Sequence, residues 1–279
     1  MSSLSLLAPA KINLFLIIKG HCSNGYHLIF TMFQKISLWD EIELSASQGE
    51  KGDICLECKE STLLSGSGNL AYQAAKLFLE KAGLNLRIKI ILKKRIPIGG
   101  GLGGGSSDAA SVLKGLNELA GFPFNEASLH SLGCSLGADV PFFLLEAPAA
   151  LGRGIGTELE VVHVPHGWYV LVYPDFSIST RWAYENYVLT GQDQGTIFDA
   201  EEVIKAAMWQ NDLEQVISAR YPEIDRIKEE LMALGARAAL LSGSGSTVFG
   251  SFLSQEAARR AASSLEINNG LQTSLVESL

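Results

Sequence analysis

Six glycines around a single leucine, Gly99-Gly100-Gly101-Leu102-Gly103-Gly104-Gly105, constrain this chain more than any other stretch. Glycine loses more backbone entropy on folding than any other residue, so such a run is tolerable only where something must approach the backbone closely. The flanks say what approaches. Leu86, Ile88, Ile90 and Leu92 alternate with Arg87, Lys89 and Lys93, which predicts a half-buried strand. Ala109, Val112, Leu113 and Leu116 recur at helical spacing, with Ser106 or Ser107 as the expected helix cap and Asp108 suited to its positive end. Strand, glycine loop and helix N-terminus together present free N–H groups to an anion. A flexible linker is the bland alternative, and a clean strand and helix at its two ends argue against it. The spacing G-x-G-x-x-G is met by Gly99, Gly101 and Gly104, but so glycine-rich a run meets many patterns by chance. The Walker A spacing fails, since Ser106 stands where lysine is required. No strand-end acid follows about 20 residues on, as a dinucleotide fold would want.

The 279 residues suffice for one large or two modest domains. A formal net charge of −8 argues against nucleic acid and anionic membranes as main partners, yet a local nest of amides can still hold an anionic substrate. Cys55 and Cys58 form a C-x-x-C inside an apparent strand, where residues three apart face opposite sides, so they are poor joint metal ligands. Reduced thiols and a cytoplasmic location are expected. No apolar run approaches the roughly 20 residues that a membrane helix needs, and the short apolar stretch Leu4–Leu7 lacks the basic flank of a secretory signal.

Along the chain, residues 10–19 read as the first strand, with Ile12, Leu14, Leu16 and Ile18 on one face and Lys11, Asn13, Phe15 and Ile17 on the other. Lys11 and Asn13 are polar neighbours on an otherwise apolar strand; a solvated strand end is the commoner fate of such a lysine. Asn24-Gly25 predicts a turn, Tyr26 to Leu38 a strand, and Asp40-Glu41 a second turn before Ile42 and Leu44. Loops are expected at Gly49–Gly52 and Ser61–Gly68. A helix with Leu70, Ala74, Leu77 and Lys81 on one side follows, closed by Gly83. Asn125 is expected to cap a helix carrying Leu129, Leu132 and Leu136, closed by Gly137. In Gly137-Ala138-Asp139-Val140-Pro141-Phe142, Pro141 disfavours helix at Val140, which predicts a stiff, non-helical turn at Asp139. That carboxylate either bonds its own backbone, as turn aspartates often do, or is aimed into a cleft.

Gly152, Gly154 and Gly156 predict a loop, and a domain boundary is placed near residue 160, giving domains 1–160 and 161–279. Beyond it the pattern predicts a strand from Trp168 to Tyr173 and a helix entered through a capping box at Asp199 and Glu202. A helix from Pro222 to Gly235 follows, then strands Ala238–Leu241 and Thr247–Phe252 around the small-residue turn Ser242-Gly243-Ser244-Gly245-Ser246, a helix from about Gln255 and a strand from Leu271. The order lacks the rhythm of a doubly wound sheet, so the expected class is α+β, with helices on largely antiparallel sheet.

Taken together, Pro9-Ala10-Lys11-Ile12-Asn13-Leu14, Gly25-Tyr26-His27, the run Pro97–Ala110, Gly137–Phe142 and Ser242–Gly245 resemble the GHMP kinase superfamily. Within it the chain looks like the members that act on a cytidine-diphosphate-linked methylerythritol in the non-mevalonate isoprenoid route. The resemblance implies a two-domain α+β fold with the active site in the inter-domain cleft, and ATP-dependent phosphorylation of the 2-hydroxyl of the methylerythritol part. It implies Asp139 as general base with Lys11 as its partner. ATP phosphates would be enclosed by Pro97, Ile98, Gly99, Gly100, Gly101, Leu102, Gly103, Gly104, Gly105, Ser106 and Ser107. Asn13 would contact the methylerythritol part, and Tyr26 and His27 the cytosine, with Tyr184 stacking on it and Thr180 nearby. Tyr184 read by itself is equally a helix residue packing on a sheet. Mg2+ is implied without an evident carboxylate ligand, and Asn24 stands where an acidic residue is usual. Kinases of the same superfamily for homoserine, mevalonate or a sugar are the nearest rivals. A non-catalytic ATP sensor is the rival of another class; such a protein should have lost Lys11 or Asp139, and this chain keeps both.

Overall fold

The computed structural model describes residues 2–22, 25–49, 53–58, 66–189 and 209–279. Asn24 of the expected turn, residues 50–52 and 61–65 of the two expected loops, and the expected capping box at Asp199 and Glu202 lie outside them. In chain order the elements are β1 (Ser2–His21), β2 (His27–Gln48), β3 (Ile54–Cys58), α1 (Leu70–Ala82), β4 (Leu86–Lys93), α2 (Gly104–Leu119), α3 (Glu126–Leu136), α4 (Val140–Leu144), β5 (Ala149–Arg153) and β6 (Glu158–Val161). Then come β7 (Trp168–Tyr173), α5 (Thr180–Glu185), α6 (Glu214–Arg220), α7 (Glu223–Ala233), β8 (Ala238–Leu241), β9 (Val248–Phe252), α8 (Gln255–Asn269) and β10 (Gln272–Glu277).

The chain divides into two compact units. One holds Met1–Ala10, Leu38–Ile98 and Gly103–Glu146; the other holds Lys11–Ser37, Gly99–Leu102 and Ala147–Leu279. In the first unit β2 pairs antiparallel with β4 from Glu41↔Lys93 to Gln48↔Leu86, and β3 lies parallel to β4. Alternation buries Ile88, Ile90 and Leu92 completely, each worth about 1.5–3 kcal/mol. Helices α1 and α2 bring Ala71, Ala74, Ala75 and Phe78 and Ala109, Val112, Leu113 and Leu116 into the same core. The buried stripe of α1 runs through 71/74/75/78 rather than the expected 70/74/77/81; both sets keep helical spacing, and the face turned to the core is the one that carries the small alanines and Phe78. Cys55 is exposed and Cys58 buried, on opposite faces of β3. Among the described residues no three ligating side chains gather as a metal site, and no helix is long and apolar enough to cross a membrane.

In the second unit β2 pairs with β5 from Thr31↔Gly152 to Gln34↔Ala149, and β5 pairs with β6. A four-stranded antiparallel sheet in the order β10-β7-β9-β8 completes it. Its core joins Leu16 and Ile18 of β1 to Val170, Val172, Leu213, Ile227, Leu231, Val248 and Leu265.

Three further expectations are corrected. Asp40-Glu41 makes no turn: β2 runs straight through it. Asp40 is fully buried and accepts bonds from the backbone N–H groups of Arg95 (2.6 Å) and Ile96 (2.9 Å), while Glu41 meets Lys93 across the strand pair (3.1 Å). The helix after the glycine run starts at Gly104, capped by left-handed Gly103 without a side-chain bond, so Ser106 and Ser107 lie inside it. Helix does form at Val140: Asp139 lies in a turn, with φ/ψ of −85° and −15°, and that turn runs straight into α4, because Pro141 sits in the first turn, where a missing N–H is harmless.

Candidate active site

In the second unit, Lys11 and Asn13 are 3% and 2% exposed, so neither is a solvated strand end. The Lys11 Nζ donates to Asn13 Oδ1 (2.6 Å) and to the Gly101 carbonyl (2.9 Å). Asn13 Nδ2 donates to Thr31 Oγ1 (2.8 Å), whose hydroxyl donates to the Phe15 carbonyl (2.6 Å). This chain of bonds fixes the Asn13 amide with its oxygen toward the ammonium. The small-residue turn closes on the pair: a Cβ at Gly243 would lie 3.2 Å from Asn13 Oδ1 and 3.4 Å from Lys11 Nζ.

The loop segment Gly99–Leu102 is docked in the same unit. Thr247 N–H donates to the Gly100 carbonyl (3.2 Å), Ser242 Oγ to the Gly101 carbonyl (3.1 Å), and Lys11 N–H to the Leu102 carbonyl (2.9 Å). A trans peptide turns its N–H opposite its carbonyl, so the amides of Gly101, Leu102 and Gly103 face away from these donors. Gly99, Gly101 and Gly103 all have φ near +70°, which curls the backbone into the concavity that binds anions. Leu102, 1% exposed, is the apolar peg of the loop, whereas Ile98 is 65% exposed.

A Cβ at Gly101 would fall on the Ser242 carbonyl oxygen and 3.0 Å from the Gly245 nitrogen. Both are backbone atoms that cannot step aside. Gly101→Ala is therefore expected to lose about 1–2 kcal/mol from the left-handed backbone and about 1–3 kcal/mol more from the clash. Gly99→Ala, with φ +72° but its nearest neighbour Ser177 Cβ at 3.8 Å, should lose only the former. Urea unfolding of the two variants side by side measures the difference; equal losses would mean that the docking is not tight.

In the first unit, α2 opens on Gly104, Gly105 and Ser106, and the Ser107 hydroxyl is buried with no partner. Helix α4 packs against α2, and a Cβ at Gly137 would lie 4.0 Å from Ser106 Oγ. Gly137 thereby sets the segment leading to Asp139 beside the first turn of α2. The Asp139 side chain makes no capping bond to α4.

A second group of expected residues meets in the second unit. The His27 ring lies 5.0 Å from Tyr184 and 4.2 Å from His21, with Tyr187 edge-on at 6.4 Å. His27 Nε2 is buried without a partner. Burial, aided by the neighbouring His21, lowers the pKa of His27. Tyr184 also packs on the second unit's apolar core. Tyr26 is 59% exposed. Thr180 shares a 2.7 Å hydroxyl bond with Ser244.

Sequence reasoning missed several supports. Asn211 is 5% exposed and its Nδ2 donates to the carbonyls of Leu241 (2.9 Å) and Gly243 (2.7 Å), which holds the small-residue turn. Ser242, in the small-residue turn, gains its role from the Gly101 carbonyl 141 residues away. The ring of His21 carried no local signal.

The chain matches the family model for the GHMP kinases N terminal domain over residues 69–147 and that for GHMP kinases C terminal over residues 197–270. It is 44% identical over 282 residues to a 4-diphosphocytidyl-2-C-methyl-D-erythritol kinase of Syntrophotalea carbinolica, covering 98% of each chain. It is 43% identical over 267 residues to the kinase of that name in Geobacter sulfurreducens, covering 94% of each. A crystal structure of 4-(cytidine 5'-diphospho)-2C-methyl-D-erythritol kinase superposes with a TM-score of 0.82 at 35% identity, over 98% of this chain and 99% of that one. A homoserine kinase from Cytophaga hutchinsonii shares the fold, with a TM-score of 0.75 at 20% identity over 100% and 95% of the two chains.

Proposed function

The chain belongs to the GHMP kinases and, within them, to the 4-diphosphocytidyl-2-C-methyl-D-erythritol kinase family, and from that premise we propose that it transfers the γ-phosphoryl group of ATP to the 2-hydroxyl of 4-diphosphocytidyl-2-C-methyl-D-erythritol, a step of the non-mevalonate route to isoprenoids. The observation that carries the mechanism is the glycine loop, whose carbonyls are bonded to the protein and whose amides are turned the other way.

Phosphoryl transfer asks for positioning and charge stabilisation more than covalent chemistry. Residues 97–107 supply both to the ATP phosphates through backbone amides and the N-terminal end of α2. Asp139 accepts the proton of the attacking hydroxyl, the hydroxyl oxygen bonds to the γ-phosphorus, and the bond from that phosphorus to ADP breaks. Lys11 stabilises the ionising oxygen, with Asn13 holding its ammonium in place. Mg2+ would be brought by ATP and would offset the charge on its phosphates; among the described residues no three ligating side chains gather to hold it alone.

His27 reads the cytosine edge with Nε2, Tyr184 offers its face, and Thr180 and Tyr26 border the same subsite. A neutral ring can place a donor or an acceptor toward the base, whereas a charged one can only donate. Because the pKa of His27 is lowered, KM for the cytidylyl substrate should begin to rise, as pH falls, at a lower pH than an ordinary histidine would give. KM for ATP should not follow. A pH profile of the two constants checks this, and a rise already above pH 7 would remove His27 from the subsite.

The deciding assay supplies ATP with the cytidylyl substrate, homoserine or mevalonate and follows ADP and phosphorylated acceptor together. One-to-one formation with the cytidylyl substrate is expected. No ADP would leave an ATP-binding sensor, and faster turnover of homoserine or mevalonate would move the chain's activity to another branch of the family.

A further inference from the structure

In the first unit, on the segments that flank the glycine run in sequence, one lysine is buried between two aspartates. Lys94 Nζ is ion-paired with Asp40 Oδ2 and lies 2.7 Å from Asp108 Oδ2, and all three side chains are at most 9% exposed. The other oxygen of Asp40 takes the N–H groups of Arg95 and Ile96, the last two residues before Pro97. Asp108 stands in the second turn of α2, 14 residues after Lys94. The cluster therefore grips the chain where it enters the loop and again where it has left it. The two ends touch as well: a Cβ at Gly104 would lie 2.9 Å from Ile96 Cγ2 and 3.2 Å from Lys94 Nζ.

Fold stability alone does not call for such a cluster. Well-packed apolar side chains in place of a buried ion pair are often as stable or more so. Burial pushes Asp108 up to about 7, with the Lys94 ammonium opposing that rise and the Asp40 carboxylate adding to it. For Lys94, burial works against the charge, yet the two carboxylates outweigh it and its pKa is raised. Around the cluster, α1 and α4 pack against α2 and bury Ala71, Ala74, Phe78, Val140 and Phe142.

We propose that Asp40, Lys94 and Asp108 are positioning residues, a charge clamp that ties the entry of the glycine loop to its exit and so holds its amides in the arrangement that receives the ATP phosphates. A loop anchored at both ends loses less freedom when an anion binds, which is how pre-organisation raises affinity. The clamp rests on the phosphate-binding role given above to the loop.

The test measures ATP binding by titration calorimetry, with circular dichroism to establish folding. Lys94→Met and Asp108→Leu should each weaken ATP at least about tenfold, equivalent to about 1.4 kcal/mol. Asp108→Asn keeps an acceptor oxygen for Lys94 Nζ and should stay within about threefold. Binding of the cytidylyl substrate should be unchanged in all three, a split that general destabilisation would not give. ATP affinity within twofold of the parent in folded Lys94→Met or Asp108→Leu overturns the clamp, as does equal damage from Asp108→Asn and Asp108→Leu. If Lys94→Met does not fold, the two Asp108 variants decide. A parent protein that binds no ATP overturns the functional reading, and the clamp's purpose with it.

Discussion

Asp139→Asn should lower turnover by about 10²–10⁴-fold, the contribution of a well-placed general base, while ATP binding and Tm stay near those of the parent. Asparagine matches aspartate in size and still accepts hydrogen bonds, but it cannot take a proton from a hydroxyl. The carboxylate caps no N–H of α4, and the helix entry is set by Pro141 and by Gly137 against Ser106. Loss of kcat with unchanged ATP affinity therefore separates chemistry from binding. Turnover within about tenfold of the parent would place the base elsewhere.

Lys11→Met should cost activity and stability together. Removal of one preorganised group facing developing charge lowers kcat by about 10²–10³. A buried methionine also leaves Asn13 Oδ1 without the ammonium that now donates to it and takes one donor from the Gly101 carbonyl. An orphaned buried acceptor costs about 1–3 kcal/mol. The expectation from pattern alone, a lysine replaceable without harm to the fold, thus gives way to a linked one. Thermal melts and steady-state kinetics on the same preparation check both halves, and an unchanged Tm would mean that the Lys11 bonds carry no weight in the folded state.

What the sequence made legible follows the range of the interactions. Strand faces, the caps at Asn125 and Gly83 and the glycine loop are local patterns, and each is present. Local pattern alone favours a solvated strand end for Lys11 because its acceptor at Gly101 is 90 residues away. Asp40 looked like a turn residue because its backbone partners come 55 and 56 residues later. At Val140 the local rule against helix before proline gives way, since Pro141 falls in the first turn of α4, where proline is well tolerated. His27 and Tyr184 meet through tertiary packing alone.

The second unit draws its first strands from residues 11–37 but most of its core from beyond residue 147. As the ribosome extends the chain, Leu16 and Ile18 leave the exit tunnel more than a hundred residues ahead of Val170, Val248 and Leu265, which cover them. At about 5–20 residues per second, those apolar strands stay bare for many seconds. Newly made protein of this kind is a natural client for a chaperone that shields extended, oily segments until translation ends.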